Sequence, residues 1–121
     1  MAYEVPGFAY SMMSSGNITQ FTAVRFDGAD VATAAQNQNP IAGIAQMPAE
    51  AANPETIRIM QTGISFAVAA AQINAGENVV VSDDDGKLEP GDDHVVGVAL
   101  TGAGADDELF ALLLTQRSDT G

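Results

Sequence analysis

Short apolar runs bounded by turn-forming residues recur along the whole chain. The runs TAVRF, IRIM, ISFAV and NVVVS alternate or are β-branched, and no segment sustains an apolar period of about 3.6 residues. Pro40, Pro48 and Pro54 lie between the runs and disfavour long helices there. The pattern predicts an all-β fold of about seven or eight short strands, as in a small sandwich or barrel. Only residues 66–73 stay open between strand and short helix.

The chain also contains an internal repeat. IAGIA at residues 41–45 resembles VVGVA at residues 95–99, and a strand that runs into an Asp-Gly turn precedes each of them. Such self-similarity indicates duplicated structural units. We therefore predict two related halves, about residues 17–60 and 73–114, joined by ISFAVAA. Together they form a single β domain, residues 17–114, with an extended N-terminal arm at 1–16 and a polar C-terminal tail at 115–121.

Four glycines have structural roles in this prediction. Gly28 and Gly86 follow Asp27 and Asp85, and Asp-Gly is a strong signal for a hairpin turn. Gly43 and Gly97 are at the centres of the two matching apolar strands, where glycine normally costs stability. We expect a bend or a backbone packed too closely for a Cβ at both positions, in preference to the close approach of a ligand.

The charge of the chain excludes some classes of partner. Sixteen acidic residues face four basic ones, which gives a formal net charge of −12. Such a charge repels phosphate backbones and anionic lipids, so we expect neither nucleic acid nor membrane as a partner. It is typical of a protein from a high-salt environment, although an ordinary acidic protein gains solubility in the same way. The absence of cysteine excludes disulfides and thiolate chemistry.

Candidate chemistry is confined to the acidic turn SDDDGKLEPGDDH. Asp83, Asp85 and Asp92 match three positions of a calcium loop, but Val81 occupies the position of its first ligand. We favour a hairpin turn with at most weak cation binding. His94 is the only histidine, so there is no second histidine for a metal site, and no Ser or Cys nucleophile with a recognisable local signature accompanies it. The sequence therefore predicts no catalytic residue, no resident metal and no cofactor, and we expect the protein not to be an enzyme.

The N-terminal segment is unusual in its side chains. Within the first 13 residues it combines aromatic residues and methionines, namely Tyr3, Phe8, Tyr10, Met12 and Met13. These residue types are enriched at the centres of interfaces. We predict an arm that docks on a partner through them, so that a chain lacking residues 2–15 still folds. The alternative is a strand that covers the domain's own core.

The order of these motifs resembles the head decoration, or cement, proteins of phages. The resemblance rests on FTAVRFDG, PIAGIAQ, PAEAANPETIRIMQTGISF, AGENVVVSDDDGKL and DHVVGVALTGAGADDELFALLL, which together cover about residues 16–114. It lies in pattern and order, without an invariant catalytic motif. The chain differs from the family in its extreme acidity and in a first half that is longer around NQNPIAG.

The resemblance implies a viral structural protein on the outer surface of an icosahedral capsid. Such a protein binds the lattice of the major capsid protein, associates with itself as a homotrimer, and is made in the host cytoplasm before it joins the virion. The acidity suggests a tailed virus of halophilic archaea. An alternative is another β-rich structural module of a halophile, such as a tail or fibre subunit or a surface-layer protein. A third possibility is a hydrolase or calcium-dependent binder that uses His94 and the carboxylates around it.

Overall fold

The protein is described by a computed structural model that covers residues 5–6, 9–35, 41–82, 85–92 and 94–115. Within these ranges every regular element is a strand, which confirms the predicted all-β class. The first six strands are β1 (Val5–Pro6), β2 (Ala9–Met13), β3 (Ala23–Asp27), β4 (Asp30–Thr33), β5 (Gly43–Ala45) and β6 (Thr56–Met60). The others are β7 (Gly63–Val68), β8 (Asn78–Val81), β9 (Leu88–Pro90), β10 (Gly97–Ala99) and β11 (Leu109–Leu114).

The strands form two antiparallel sheets with the same internal order. One sheet has five strands in the order β2-β6-β5-β3-β4. The other has six, in the order β1-β7-β11-β10-β8-β9. Each strand of the first sheet has its counterpart five strands later in the chain, in the second sheet, and only β1 of the second sheet has no counterpart. The predicted construction from two related halves is thus found, and we call β2–β6 the first half and β7–β11 the second half.

The equivalence of the halves extends to individual hydrogen bonds. Ile18 and Ala49 exchange both backbone hydrogen bonds, at 2.8 and 2.9 Å, and Ile73 and Ala103 do the same at 2.9 Å. The amide of Ser14 donates to Glu55 O at 2.8 Å, and the amide of Ala69 donates to Glu108 O at the same distance. These paired contacts define which residue of one half corresponds to which residue of the other.

Each half begins one strand earlier than the sequence similarity suggests. In the first half β2 pairs with β6 along its whole length, from Ala9 opposite Met60 to Met13 opposite Thr56. In the second half β7 pairs with β11 in the equivalent register, with Ile64 opposite Leu113. ISFAVAA is therefore not only a linker: residues 63–68 are the first strand of the second half. Likewise, residues 9–13 of the predicted arm are an edge strand of the first sheet, which is the alternative the sequence left open.

Two clusters of buried side chains fill the structure. The smaller one belongs to the first half and consists of Ile18, Val24, Val31, Ala42, Ala45, Ala49, Ile57 and Ile59, with Tyr10 and Met12 packed against it. The larger cluster contains the equivalent residues of the second half, such as Ile73, Val79 and Phe110. It also includes first-half residues on the other side of the sheet, among them Ala23, Ile44 and Met60. Each half thus has its own core, and one face of the first half packs against the second.

Each of the four predicted structural glycines occupies a position that favours glycine, through a positive φ, a close approach of other atoms, or both. Gly28 has a φ of 63° in the two-residue loop that joins β3 to β4. A Cβ at Gly43 or Gly97 would overlap the carbonyl oxygen of the facing strand, that of Met60 or Leu113 respectively. Gly86 has a φ of 74°, and a Cβ there would lie 2.7 Å from Ala23 O. The close approaches at Gly43 and Gly97 are within each half, whereas the one at Gly86 is between the halves.

Candidate functional site

The carboxylates of the acidic turn have separate partners. Asp85 Oδ1 accepts a hydrogen bond from the Lys87 amide at 3.2 Å. Asp92 Oδ1 accepts one from Asn78 Nδ2 at 3.1 Å, on the neighbouring strand β8. Asp83 lies outside the described residues. In the ranges that the structure describes, no group of three or more acidic or histidine side chains could hold a metal ion.

Lys87 connects the acidic turn to the loop before β11. Its Nζ lies 2.6 Å from Asp107 Oδ1, 3.3 Å from Asp106 Oδ1 and 3.9 Å from Asp85 Oδ2. The hydrogen bond to Asp107 is the main cause that raises the pKa of Lys87, against the opposing effect of partial desolvation. The only lysine of the chain therefore offsets part of the negative charge of three carboxylates and links two loops.

His94 precedes the glycine strand of the second half. It is half-buried and has a φ of 63°, a conformation that is uncommon for residues other than glycine. Its position at the entry to β10 fits a loop residue that turns the chain. The neighbouring Asp93 lies outside the described residues.

The residues predicted to contact a partner divide into three groups. Tyr3 and Phe8 lie outside the described residues. Tyr10 and Met12 are partly buried against the core of the first half, and Tyr10 Oη donates a hydrogen bond to Ala42 O at 2.8 Å. Met13 points to the opposite face of β2 and is 42% exposed. Of the three described side chains, Met13 is thus the one available to a partner.

Exposed apolar side chains form the most distinctive surface feature of the described residues. On the first half they include Met13 and Phe26, and on the second half Leu100 and Leu113. Met47 and Leu109 are also exposed. The sequence did not single out Phe26, Leu100 or Leu113, because strands of this length show apolar residues on both faces. A comparison of equivalent positions in the two halves would have identified these three residues only if the two halves had been aligned in the register that the strand pairing shows.

An open pocket of about 460 Å³ lies at the ends of β8 and β9, and β8 is the neighbour of β10 in the sheet. Its lining consists of Gly76, Glu77, Asn78, Pro90, Gly91 and Asp92. Two of these side chains are acidic, and none is a nucleophile or a histidine. The described part of the chain contains no helix long and apolar enough to cross a membrane.

Comparisons with known proteins identify the fold. No family model matches the sequence, and no curated protein is similar to it. Among solved structures, the chain is similar to the head fiber gp8.5 N base of bacteriophage phi29, with a TM-score of 0.74 and 20% sequence identity. The similarity covers 94% of this chain and 99% of that chain. At this identity the likeness concerns the fold, and it includes both halves.

Proposed function

We propose that the protein is a virion structural protein that decorates the outer surface of an icosahedral capsid. The observation that carries this proposal is the fold that the chain shares, over nearly its full length, with the base of a phage head fiber. The motif order resembles capsid decoration proteins independently of that likeness. The binding partner is then the lattice of the major capsid protein, and the protein acts by binding alone.

The many identical sites of a capsid suit a small binding module. Weak contacts that repeat across a lattice add up through multivalency, so a domain of this size needs no single strong site. Self-association as a homotrimer, which the resemblance implies, would multiply these contacts further. The net charge of −12 suits a surface that faces outward to solvent, and a halophilic host would explain its magnitude.

The test is binding to capsids built from the major capsid protein of the same genome. Purified protein is mixed with expanded capsids, and occupancy is measured by co-sedimentation and by cryo-EM. We expect density on the outer surface at regular lattice positions. Replacement of both Tyr3 and Phe8 by serine should lower occupancy, whereas Met12→Leu, a change within the first half's own core, should not. Absence of the protein from capsids and virions would contradict the proposal.

A second candidate is a fibre or tail subunit, or a surface-layer module of a halophile. One observation favours it: the similar structure is the base of a fiber, and this chain covers 99% of that base. Genome position separates the two. A gene beside the major capsid protein and maturation protease supports decoration, whereas a gene among tail-fibre or surface-layer genes supports the alternative.

A further inference from the structure

The interface between the two halves shows how one half recognises another. The first half contributes a face that contains Phe21, Ala23, Ile44 and Met60. Ala23 donates its amide to Gly86 O at 2.8 Å, and Val68 donates its amide to Phe21 O at 3.1 Å. The rings of Phe21 and Phe66 meet edge to face with centroids 5.7 Å apart. We call this face of a half its front.

The second half has an equivalent front, and no segment among the described residues packs over it; the short strand β1 lies at its edge, beside Ile64. By the register of the strands, Asn78, Val98 and Leu113 are equivalent to Ala23, Ile44 and Met60. Met60 is 3% exposed, whereas Leu113 is 36% exposed. Leu100 occupies the position of Gln46, whose side chain donates to Ser65 Oγ across the interface. The open pocket at Gly76 and Asn78 lies where, in the first half, Phe21 and Ala23 contact the second half.

The surface that receives a front lies at the other end of the same strands, and it is also used only once. In the second half it includes Val68, Val81 and Gly86, all of which are buried. Their counterparts in the first half are Met13, Phe26 and the Gly28 turn. Val68 and Val81 are 9% and 3% exposed, whereas Met13 and Phe26 are 42% and 49% exposed. We call this surface the back of a half.

Four of the exposed apolar side chains therefore belong to the two unused sides of an interface that the chain already contains, namely Met13, Phe26, Leu100 and Leu113. A front packs against a back, so the contact is head-to-tail and not self-complementary. Because the contact is head-to-tail, each chain keeps one unpaired front, on its second half, and one unpaired back, on its first half. Further copies of the chain can bind to both surfaces. No other described surface combines exposed apolar residues with a buried counterpart in the other half.

We propose that the front of the second half, centred on Val98, Leu100 and Leu113, binds the back of the first half of a second copy, centred on Met13 and Phe26. This inference rests on the self-association proposed above and assigns the two surfaces that carry it. It does not depend on capsid binding. Repetition of the contact continues the order first half, second half, first half through successive copies.

Charge makes this contact dependent on salt. The front of the second half carries Glu77 and Asp92, where the first half has Thr22 and Ala35. The approaching back carries Asp27 and Asp30 beside the Gly28 turn. Like charges at these positions repel at low ionic strength, and molar salt shortens the Debye length to about 3 Å. Association between copies should therefore strengthen as salt rises.

The test measures the molar mass of the purified full-length protein, without capsids, by light scattering and sedimentation from low to molar salt. We expect the wild type to form a defined oligomer at high salt. Leu113→Asp blocks the front and Met13→Asp blocks the back. Either change should weaken association by on the order of tenfold or more, because it would bury an unpaired carboxylate. Leu109→Asp is the matched control, since Leu109 is 52% exposed and its counterpart Thr56 is exposed as well.

Mixing the two variants tests the head-to-tail arrangement. Each keeps one intact surface, so Leu113→Asp and Met13→Asp chains should be monomeric alone and form a one-to-one dimer together, with no larger species. Melting curves verify that all variants stay folded. A wild type that is monomeric at every salt concentration overturns the proposal, as does a mixture that forms no dimer. Loss of capsid binding by these variants, with a monomeric wild type, would assign the same surfaces to the capsid and equally overturn it.

Discussion

At Gly43 and Gly97 the main chain approaches the facing strand so closely that only glycine fits. A Cβ at Gly43 would also lie 2.8 Å from the Ile59 side chain, and one at Gly97 would lie 2.8 Å from the Leu112 side chain, each in the core of the same half. We expect Gly97→Ala to lower the free energy of unfolding by about 1–3 kcal/mol, the usual cost of overpacking. Gly43→Ala should cost at least as much, because φ is 147° there. Urea denaturation measures both.

Gly104→Ala provides the control for these two variants. A Cβ at Gly104 would meet only the Glu108 carboxylate, at 3.5 Å. We expect little change in stability for this variant. If Gly97→Ala is equally neutral, the close approach of the strands is not what requires glycine in β10.

Phe21 combines a backbone cost with a packing gain. Its φ is 66°, and its counterpart in the second half is Gly76, with a φ of 92°. A left-handed conformation costs a residue with a Cβ about 1–2 kcal/mol, and the edge-to-face contact with Phe66 offsets this. Phe21→Ala loses the ring and keeps the strain, so it should be about 1 kcal/mol less stable than Phe21→Gly. Chemical denaturation of the pair measures this difference.

Gly76→Ala tests the same backbone term alone, because nothing lies within 4 Å of the added Cβ. It should also lose about 1 kcal/mol. Equal stabilities of Phe21→Ala and Phe21→Gly would show that the left-handed conformation carries no cost at residue 21.

Tyr10 should make stability fall in alkaline solution. Burial raises the pKa of its phenol above 10.0, so the folded protein holds this proton more tightly than the unfolded chain. The stabilisation is complete below pH 10 and is lost as the pH rises through the folded-state pKa. The Tyr10→Phe variant lacks the hydrogen bond to Ala42 O, which is worth about 1 kcal/mol. Because it has no phenol to ionise, its stability also lacks this pH dependence. The stability difference between wild type and Tyr10→Phe should therefore shrink above pH 10, as measured by urea denaturation at each pH.

At the scale of elements, β2 changes what a deletion should do. Removal of residues 2–15 takes away the whole edge strand and uncovers Ile57 and Ile59 from Tyr10 and Met12. Loss of two such side chains should cost about 3–6 kcal/mol, a large part of the stability of an ordinary domain. We now expect this deletion to unfold the protein or nearly so, contrary to the expectation from sequence. Circular dichroism melting measures the effect.

A shorter deletion, residues 2–8, serves as the control. It removes the two-residue strand β1, which pairs only with Ile64 and Gly63, and retains β2. The shortened chain should stay folded with a modestly lower melting temperature. A stable fold for the longer deletion would mean that β2 is a detachable arm after all.

Much of the element order could be predicted from sequence. The Asp27-Gly28 hairpin, the two glycine strands and the two last strands of the halves coincide with predicted segments, because turn residues and β-branched runs act locally. The first strand of each half was missed as a repeat unit. AYSMM and ISFAV share no residue pattern, and only their pairing with β6 and β11 shows that they are equivalent.

The candidate binding surfaces were harder to predict than the fold. Ile44 and Val98 are both β-branched and occupy the same place in the two halves, yet one is buried by the other half and the other is only half-buried. Ile44 is buried because the second half packs against the front of the first half. This contact joins residues that are far apart in the sequence, and no local pattern encodes it. The offset of 54 residues between Ile41 and Val95 would also place Met60 on Leu114, whereas the strand pairing places it on Leu113. A shift of one residue reverses the face of every side chain.

At the scale of the whole molecule, electrostatic repulsion should limit stability at low salt. The net charge of −12 is spread over a small domain, and raising salt from 0.1 to 1 M shortens the Debye length from about 10 to 3 Å. We expect the melting temperature in NaCl to rise from low to multimolar salt, by roughly 4 °C for each kcal/mol of repulsion relieved. A variant with Glu50→Gln and Glu55→Gln, two exposed carboxylates, should depend less on salt, because it carries less charge to screen. A melting temperature that is flat or falls with salt would remove the argument for a halophilic origin. A rise of equal size in both proteins would assign the effect to strengthened apolar burial instead of charge.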